Sequence, residues 1–156
     1  MKRGNKIFRA FLESPVGVLE IKAEADKIIS ILFANEKKRN GKQPQALKDC
    51  LKQLKEYFYH GRKIFSLPLA LDGTIWQKRV WQELLKIPFG KTTSYSELAE
   101  RLGGKKLARA VASACAHNKI LFIIPCHRVI GVGGGITGYR GGLRHKKWLL
   151  DLEKKV

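Results

Sequence analysis

The chain has 156 residues and sets 31 Lys and Arg against 13 Asp and Glu, a formal net charge of +18. With 44% apolar residues it is no disordered polybasic tail, and its length suffices for one ordinary domain or two small ones with a core that needs no staples. The charge implies a polyanionic partner, nucleic acid before an anionic membrane surface. Three scattered cysteines, Cys50, Cys115 and Cys126, argue against a secreted disulfide scaffold and for a reducing, cytoplasmic setting. There is no C-x-x-C, and the four histidines form no zinc spacing with the cysteines, so no metal site is expected. No signal-peptide stretch follows the basic start, and the longest strongly apolar run, Ile120–Ile124, is too short to cross a bilayer.

In chain order, the apolar-rich segment 7–12 reads as a strand, and Ser14-Pro15-Val16-Gly17 as a turn. Leu19, Ile21 and Ala23 alternate with Glu20 and Lys22, the mark of a half-buried strand. Ala25-Asp26-Lys27 turns into a β-branched third strand over 28–33. A polar, basic loop over 35–44 follows. Leu47, Leu51, Leu54 and Phe58 then fall on one helical face that ends at Gly61, with Cys50 close to the stripe and structural. Segment 64–71 contains Pro68 and reads as an extended connection.

A domain boundary is placed near Asp72-Gly73. Residues 1–72 hold 15 basic and 8 acidic side chains, net +7, and residues 73–156 hold 16 and 5, net +11. The second half is therefore the better candidate for the polyanion site. It opens with Thr74 as N-cap of a helix carrying Ile75, Trp76, Val80, Leu84 and Leu85 up to Pro88. Ser94-x-x-Glu97 is a capping box before a short helix with Leu98 and Leu102 inward. Gly103-Gly104 stops that helix, and a second runs over 107–117, the layout of a helix-turn-helix. Residues 120–124 read as a buried strand running into Pro125, residues 131–142 as a glycine-rich loop, and 143–155 as a final helix with Trp148, Leu149 and Leu152 inward. The fold expected is α/β: a small antiparallel sheet with a helix in residues 1–72, then a mostly helical, winged-helix-like domain in residues 73–156.

The strongest chemical signal is Pro125-Cys126-His127-Arg128-Val129. A buried segment ends at a Pro and presents a thiol and an imidazole together. A free thiol is only a few per cent thiolate at neutral pH, and His127 or Arg128 could supply a base or a positive field. From the pattern alone, a packed core thiol is an equally good reading.

The segment Ile124-Pro125-Cys126-His127-Arg128-Val129-Ile130 resembles the active-site signature of the O6-alkylguanine-DNA alkyltransferases. Further matches fall in family order: Tyr95-Ser96-Glu97-Leu98-Ala99, Ala108-Arg109-Ala110-Val111, Asn118, Thr137-Gly138-Tyr139, Gly141-Gly142-Leu143, and Lys147-Trp148-Leu149-Leu150 through Glu153. The resemblance spans roughly residues 75–153; over residues 1–72 it is one of layout only. It implies a suicide repair protein that moves an alkyl group from guanine O6 to its own cysteine, irreversibly and with no cofactor. Cys126 would be the nucleophile, His127 the base acting through a water, Glu153 the carboxylate orienting it, and Asn118 the brace of the active-site turn. Tyr95 would hydrogen-bond the base and assist its departure as a protonated guanine.

The same resemblance implies that Arg109 fills the gap left by a flipped nucleotide, since a thiol cannot reach the O6 substituent inside a duplex. The small residues Ala108, Ala110, Ala112 and Ser113 would let the second helix approach the minor groove, with Tyr95 and Arg128 as further DNA contacts. Val129, Tyr139, Arg140 and Cys115 would wall the guanine pocket. The expected partner is double-stranded DNA carrying O6-alkylguanine. The protein is expected to be a monomer with no membrane contact and no obligate protein partner, associated with the nucleoid when DNA-bound.

Two rivals are weighed against this: a helix-turn-helix module that binds alkylated DNA without repairing it, and a Cys-His hydrolase that turns over repeatedly. Gly133 to Gly138 formally satisfies G-x-G-x-x-G but lacks the strand–turn–helix context of dinucleotide binding. The basic run 37–42 reads first as solvated, with an auxiliary DNA contact as the alternative.

Overall fold

The computed structural model describes residues 6–155. The chain forms two compact units, one reaching to Leu71 and the other starting at Asp72.

In the first unit, β1 (Ile7–Ser14), β2 (Gly17–Glu24) and β3 (Lys27–Phe33) make an antiparallel sheet in the order β1-β2-β3. The β1–β2 register runs from Ile7 opposite Glu24 to Ser14 opposite Gly17. Ala10, Leu12, Leu19, Ile21, Ala23, Ile28 and Ile31 are buried; β2 keeps the expected alternation, whereas Ile28 and Ile31 lie three apart because the β2–β3 register shifts at Lys22/Ala23. The helix α1 (Gln45–His60) supplies the other half of this core with Leu47, Cys50, Leu54, Tyr57 and Phe58. Cys50 thus lies within the stripe.

The β2–β3 turn is only Ala25-Asp26, both with positive φ (49° and 58°), the backbone that matches a tight hairpin to strand twist. Asp26 also serves α1. That helix begins after Pro44, which has no side chain to cap it, and the Asp26 carboxylate accepts from the Ala46 N–H at 2.9 Å. The extended segment 64–71 is held twice. Ile28 exchanges backbone hydrogen bonds with Pro68 and Ala70, and the Gln53 amide pairs with both backbone groups of Ser66.

The second unit contains α2 (Ile75–Leu84), β4 (Thr93–Ser94), α3 (Tyr95–Arg101), a 3₁₀ turn (Lys105–Leu107), α4 (Ala108–Ala116), a second 3₁₀ turn (Cys126–Arg128), β5 (Val129–Ile130) and α5 (Leu143–Lys155). Thr74 caps α2 in a reciprocal box with Gln77. The inward residues of α2 are Val80, Trp81 and Leu84; Ile75 is 83% exposed and Leu85 is exposed, so the expected stripe is corrected by a partial turn. The indole N–H groups of Trp76 and Trp81 donate to the Ala110 and Ala114 carbonyls, which fixes α2 along α4.

Ser94 caps α3, but the capping box is one-sided: the Glu97 carboxylate accepts from the Thr93 hydroxyl instead of returning to the cap. Leu98 and Leu102 are buried, and Gly103 and Gly104, both at strongly positive φ, turn the chain into α4. β4 and β5 form a short parallel pair, Thr93 opposite Val129 and Ser94 opposite Ile130.

Segment 120–124 is not a strand. It is a buried turn in which Phe122 takes φ 73° and Ile124 N–H returns to the Ile120 carbonyl. A continuous apolar run reports burial, not extension. Here Asn118 bends the backbone: its amide oxygen accepts from Ile120 N–H at 2.9 Å, and its amide nitrogen donates to the Ile124 carbonyl at 2.9 Å.

Candidate active site

The buried turn delivers Cys126 to the wall of a pocket of about 510 Å³ in the second unit. Tyr95 at the start of α3, residues of α4 that include Arg109 and Cys115, and Thr137, Gly138, Tyr139 and Arg140 of the glycine-rich loop line it as well, with Ala108, Ala112 and Ala116 as the small side chains of α4. Cys126 is 4% exposed. The Asn118 amide that shapes the turn also donates to Cys126 Sγ at 3.2 Å. One side chain therefore folds the segment and holds the sulfur. Burial pushes the Cys126 thiol up to about 11, while the Asn118 hydrogen bond and the positive fields of Lys146 and Arg140 pull it down.

Behind the thiol lies a buried ionic cluster. Arg128 donates to Glu153 through Nε (2.7 Å to Oε1) and Nη2 (3.0 Å to Oε2), and through Nη1 to the Ile87 carbonyl at 2.7 Å. His127 Nε2 lies 2.7 Å from Glu153 Oε2. Burial alone would raise the Glu153 carboxyl, but hydrogen bonds from His127 and Arg128 outweigh it and hold the group well below the ordinary carboxylate range. Burial also lowers His127, against the pull of Glu153. The charge pair is therefore Arg128 with Glu153, and His127 is a neutral donor. An ionised carboxylate offers only lone pairs, so the shared proton sits on His127 Nε2. That leaves Nδ1 as the imidazole's lone pair, and Nδ1 is buried with no hydrogen-bond partner among the described residues.

Arg128 is thus corrected. It was expected on the DNA surface, yet it is 6% exposed and spends its donors on Glu153 and Ile87. A buried carboxylate needs a charge partner, and the residue after the histidine is the one that reaches it.

Lys146 was not anticipated. It is fully buried, and Nζ donates to the carbonyls of Val129 (2.5 Å), Thr137 (2.7 Å) and Gly138 (3.0 Å). Nζ also lies 3.5 Å from the Tyr95 hydroxyl, which itself donates to the Thr137 carbonyl at 3.1 Å. One ammonium gathers β5, the glycine-rich loop and Tyr95 around the pocket. Burial lowers Lys146, with Cys126 and Cys115 opposing. The signal was in the spacing of α5: the buried residues Lys146, Leu149, Leu150 and Glu153 sit at i, i+3, i+4 and i+7. The expected inward pair Trp148 and Leu152 is only half-buried.

The other expected residues fall as follows. On α4, Arg109, Ala110 and Ser113 are exposed, Ala108 and Ala112 half-buried, and Val111, Ala114 and Cys115 face inward. Burial pushes the Cys115 thiol up to about 12, and Tyr95, half-buried, is also pushed up to about 12. Tyr139 is raised well above its ordinary value by burial, and its hydroxyl is buried without a hydrogen-bond partner among the described residues. Arg140 reaches the Asn118 carbonyl at 3.4 Å. Among the described residues no group of three or more His, Cys, Asp or Glu is placed to hold a metal, and no helix is long and apolar enough to cross a membrane.

Two family descriptions match nearly the whole chain: the 6-O-methylguanine DNA methyltransferase DNA binding domain over residues 75–155, and the ribonuclease-like domain of the same family over residues 7–71. The chain belongs to this family. A methylated-DNA–protein-cysteine methyltransferase of Mycobacterium leprae is 42% identical over 148 residues, covering 92% of this chain and 90% of that protein. The crystal structure of the Mycobacterium tuberculosis O6-methylguanine methyltransferase superposes with a TM-score of 0.86 at 37% identity, covering 96% of this chain and 94% of that one. A Mycobacterium tuberculosis OGT in complex with DNA gives 0.86 at 40% identity, covering 94% and 92%. The family resemblance therefore extends to the first unit, where sequence reading found layout alone.

Proposed function

We propose that the protein reverses O6-alkylguanine damage in double-stranded DNA by moving the alkyl group to Cys126, once per molecule. The observation that carries this reading is the Asn118–Cys126 contact at the pocket wall, beside a neutral His127 whose second nitrogen is anchored on Glu153. The similarity to an OGT crystallised with DNA supports the nucleic-acid partner.

The division of labour follows the two segments read from the sequence, with residues 73–156 carrying both DNA binding and chemistry and residues 1–72 a separate domain. Arg109, with Ala108, Ala110, Ala112 and Ser113, gives α4 a face of one cation among small side chains. That face suits close approach to the minor groove and insertion of Arg109 where a nucleotide has rotated out. The flipped base enters between Tyr95, Cys115, Val129, Tyr139 and Arg140.

The thiol proton then passes to His127 Nδ1, through a water as the resemblance implies, and Cys126 Sγ attacks the alkyl carbon. An S–C bond forms, the C–O6 bond breaks, and its electron pair stays on guanine. Tyr95, polarised by Lys146, supplies a hydrogen bond and a proton to the departing base. A thiol held near 11 is mostly protonated at neutral pH, so the proton must leave as the reaction occurs, and the base beside it is indispensable. We infer as well that the protein acts as a monomer on the nucleoid of the cytoplasm, a setting that its three free cysteines suit.

The test is to incubate the protein with duplex DNA carrying one O6-methylguanine and to follow intact protein mass. One methyl group per molecule, with no further turnover, is expected. Repeated turnover would point to a hydrolase, and tight binding with unchanged mass to a damage-recognition module.

A further inference from the structure

The first unit carries a cationic groove of about 350 Å³ that the alkyl-transfer reading does not use. Lys6 and Arg9 line one side from β1 and its approach, and Lys38, Arg39 and Lys42 line the other from the loop after β3. All five are exposed, and none has a carboxylate partner among the described residues. The one carboxylate in the lining, Glu20, is already engaged by Lys22 at 3.6 Å.

Three like charges on a free loop would move away from one another and from Lys6 and Arg9, since each repels the others. This loop is fastened. The Asn40 side chain accepts from Phe11 N–H at 2.7 Å and donates back to the Phe11 carbonyl at 3.4 Å, pairing with the open edge of β1 as a neighbouring strand would. The clamp pins the middle of the basic run over β1 and holds Lys38, Arg39 and Lys42 opposite Arg9 and Lys6. A small-anion pocket would converge buried donors on one point. Here the donors are long, exposed and spread along an open groove, which suits a string of phosphates.

We propose that this groove is a second phosphate-backbone contact for double-stranded DNA, independent of the lesion and of the helix-turn-helix. The proposal rests on DNA being the partner, and it deepens that reading by giving the first unit a share in the binding. It contacts backbone only, so it adds affinity for any sequence and makes that affinity steeply dependent on salt.

The test compares the full chain with two triple variants of equal charge change: Lys38→Ala/Arg39→Ala/Lys42→Ala in the groove, with Asn40 kept, and Lys48→Ala/Lys52→Ala/Lys55→Ala on the exposed face of α1. Affinity for undamaged duplex is measured across a salt series, and alkyl transfer from a free O6-alkylated guanine base is measured separately. The groove variant is expected to bind tenfold or more weakly, with its log–log salt slope shallower by about 2 to 3. The α1 variant should stay within twofold of the parent, and all three should react alike with the free base. An unchanged slope in the groove variant, or an equal loss in the α1 variant, would overturn the proposal. Loss of free-base transfer in the parent would instead count against the alkyl-transfer reading.

Discussion

At the residue scale, burial holds two groups at the site more firmly in their uncharged forms than they would be in water. Cys126, the proposed nucleophile, is kept as a thiol, and His127, the proposed base, is kept neutral. Burial sets both, and the partners decide how far each goes. The pH consequences run in opposite directions. A small electrophile such as iodoacetamide, reacting with Cys126 without the pocket's help, should react faster as pH rises and level off only near 11. Alkyl transfer from a free O6-alkylated base should instead stay flat as pH falls through 6.5, because burial holds His127 neutral below its ordinary value. It should decline only at lower pH, where Nδ1 is protonated. A decline centred at or above 6.5 would show that His127 is not the proton acceptor. Tyr95→Phe should keep the pocket and slow transfer by roughly 10² or less, measured as a single-turnover rate, since it removes one proton donor and leaves the nucleophile intact.

At the element scale, α5 couples stability to chemistry through one buried stripe. Glu153→Gln would leave Arg128 as an unpaired buried charge, a change that costs about 3–5 kcal/mol in urea or thermal unfolding. Adding Arg128→Met should recover a large part of that loss, because an apolar residue needs no partner there. Recovery of stability without recovery of alkyl transfer would separate the ionic cluster's structural part from its orientation of His127. The sign with pH follows from the depressed Glu153. Its folded-state value lies below its ordinary 4.5, so the pair's contribution is fully present above that pH and is lost as pH falls further. In the first unit, Asp26→Ala should cost about 1 kcal/mol by uncapping α1 from a distance, while Asp26→Asn, which keeps an oxygen acceptor and tolerates positive φ, should be nearly neutral.

The same elements show what a sequence discloses. The second strand was legible because a sheet with one buried face writes a period of two, as Leu19, Ile21 and Ala23 do, and the first and third were legible as apolar-rich and β-branched runs. Cys126, His127 and Glu153 were legible through the resemblance, and their meeting depends on a fold that brings α5 to the second 3₁₀ turn. Segment 120–124 misled because full burial erases periodicity, and the asparagine that bends it acts through side-chain bonds no pattern announces. Lys146 and Arg128 misled for the opposite reason. A Lys or Arg is nearly always solvated, and only the carbonyls and carboxylate waiting for them reverse that expectation. The one-sided cap at Ser94 has the same lesson: Glu97 had a second acceptor-seeking neighbour, Thr93, that the motif does not mention.

At the scale of the whole molecule, the charge of +18 is divided between two units, the second of which holds Cys126 and its pocket. Binding to DNA should carry most of the salt dependence and the pocket almost none. Transfer from damaged duplex at limiting protein should therefore slow steeply between low and moderate salt, whereas transfer from the free base should change little. Parallel slowing of both would place the salt effect in the chemistry. The cavity holds a second thiol, Cys115, and this sharpens the most direct test of the central claim. Duplex DNA carrying a labelled O6-methyl group is allowed to react, and the protein is digested and mapped by mass. The account predicts one labelled methyl per molecule, on the peptide containing Cys126, and none after Cys126→Ala. Label on Cys115, or transfer that survives Cys126→Ala, would contradict it.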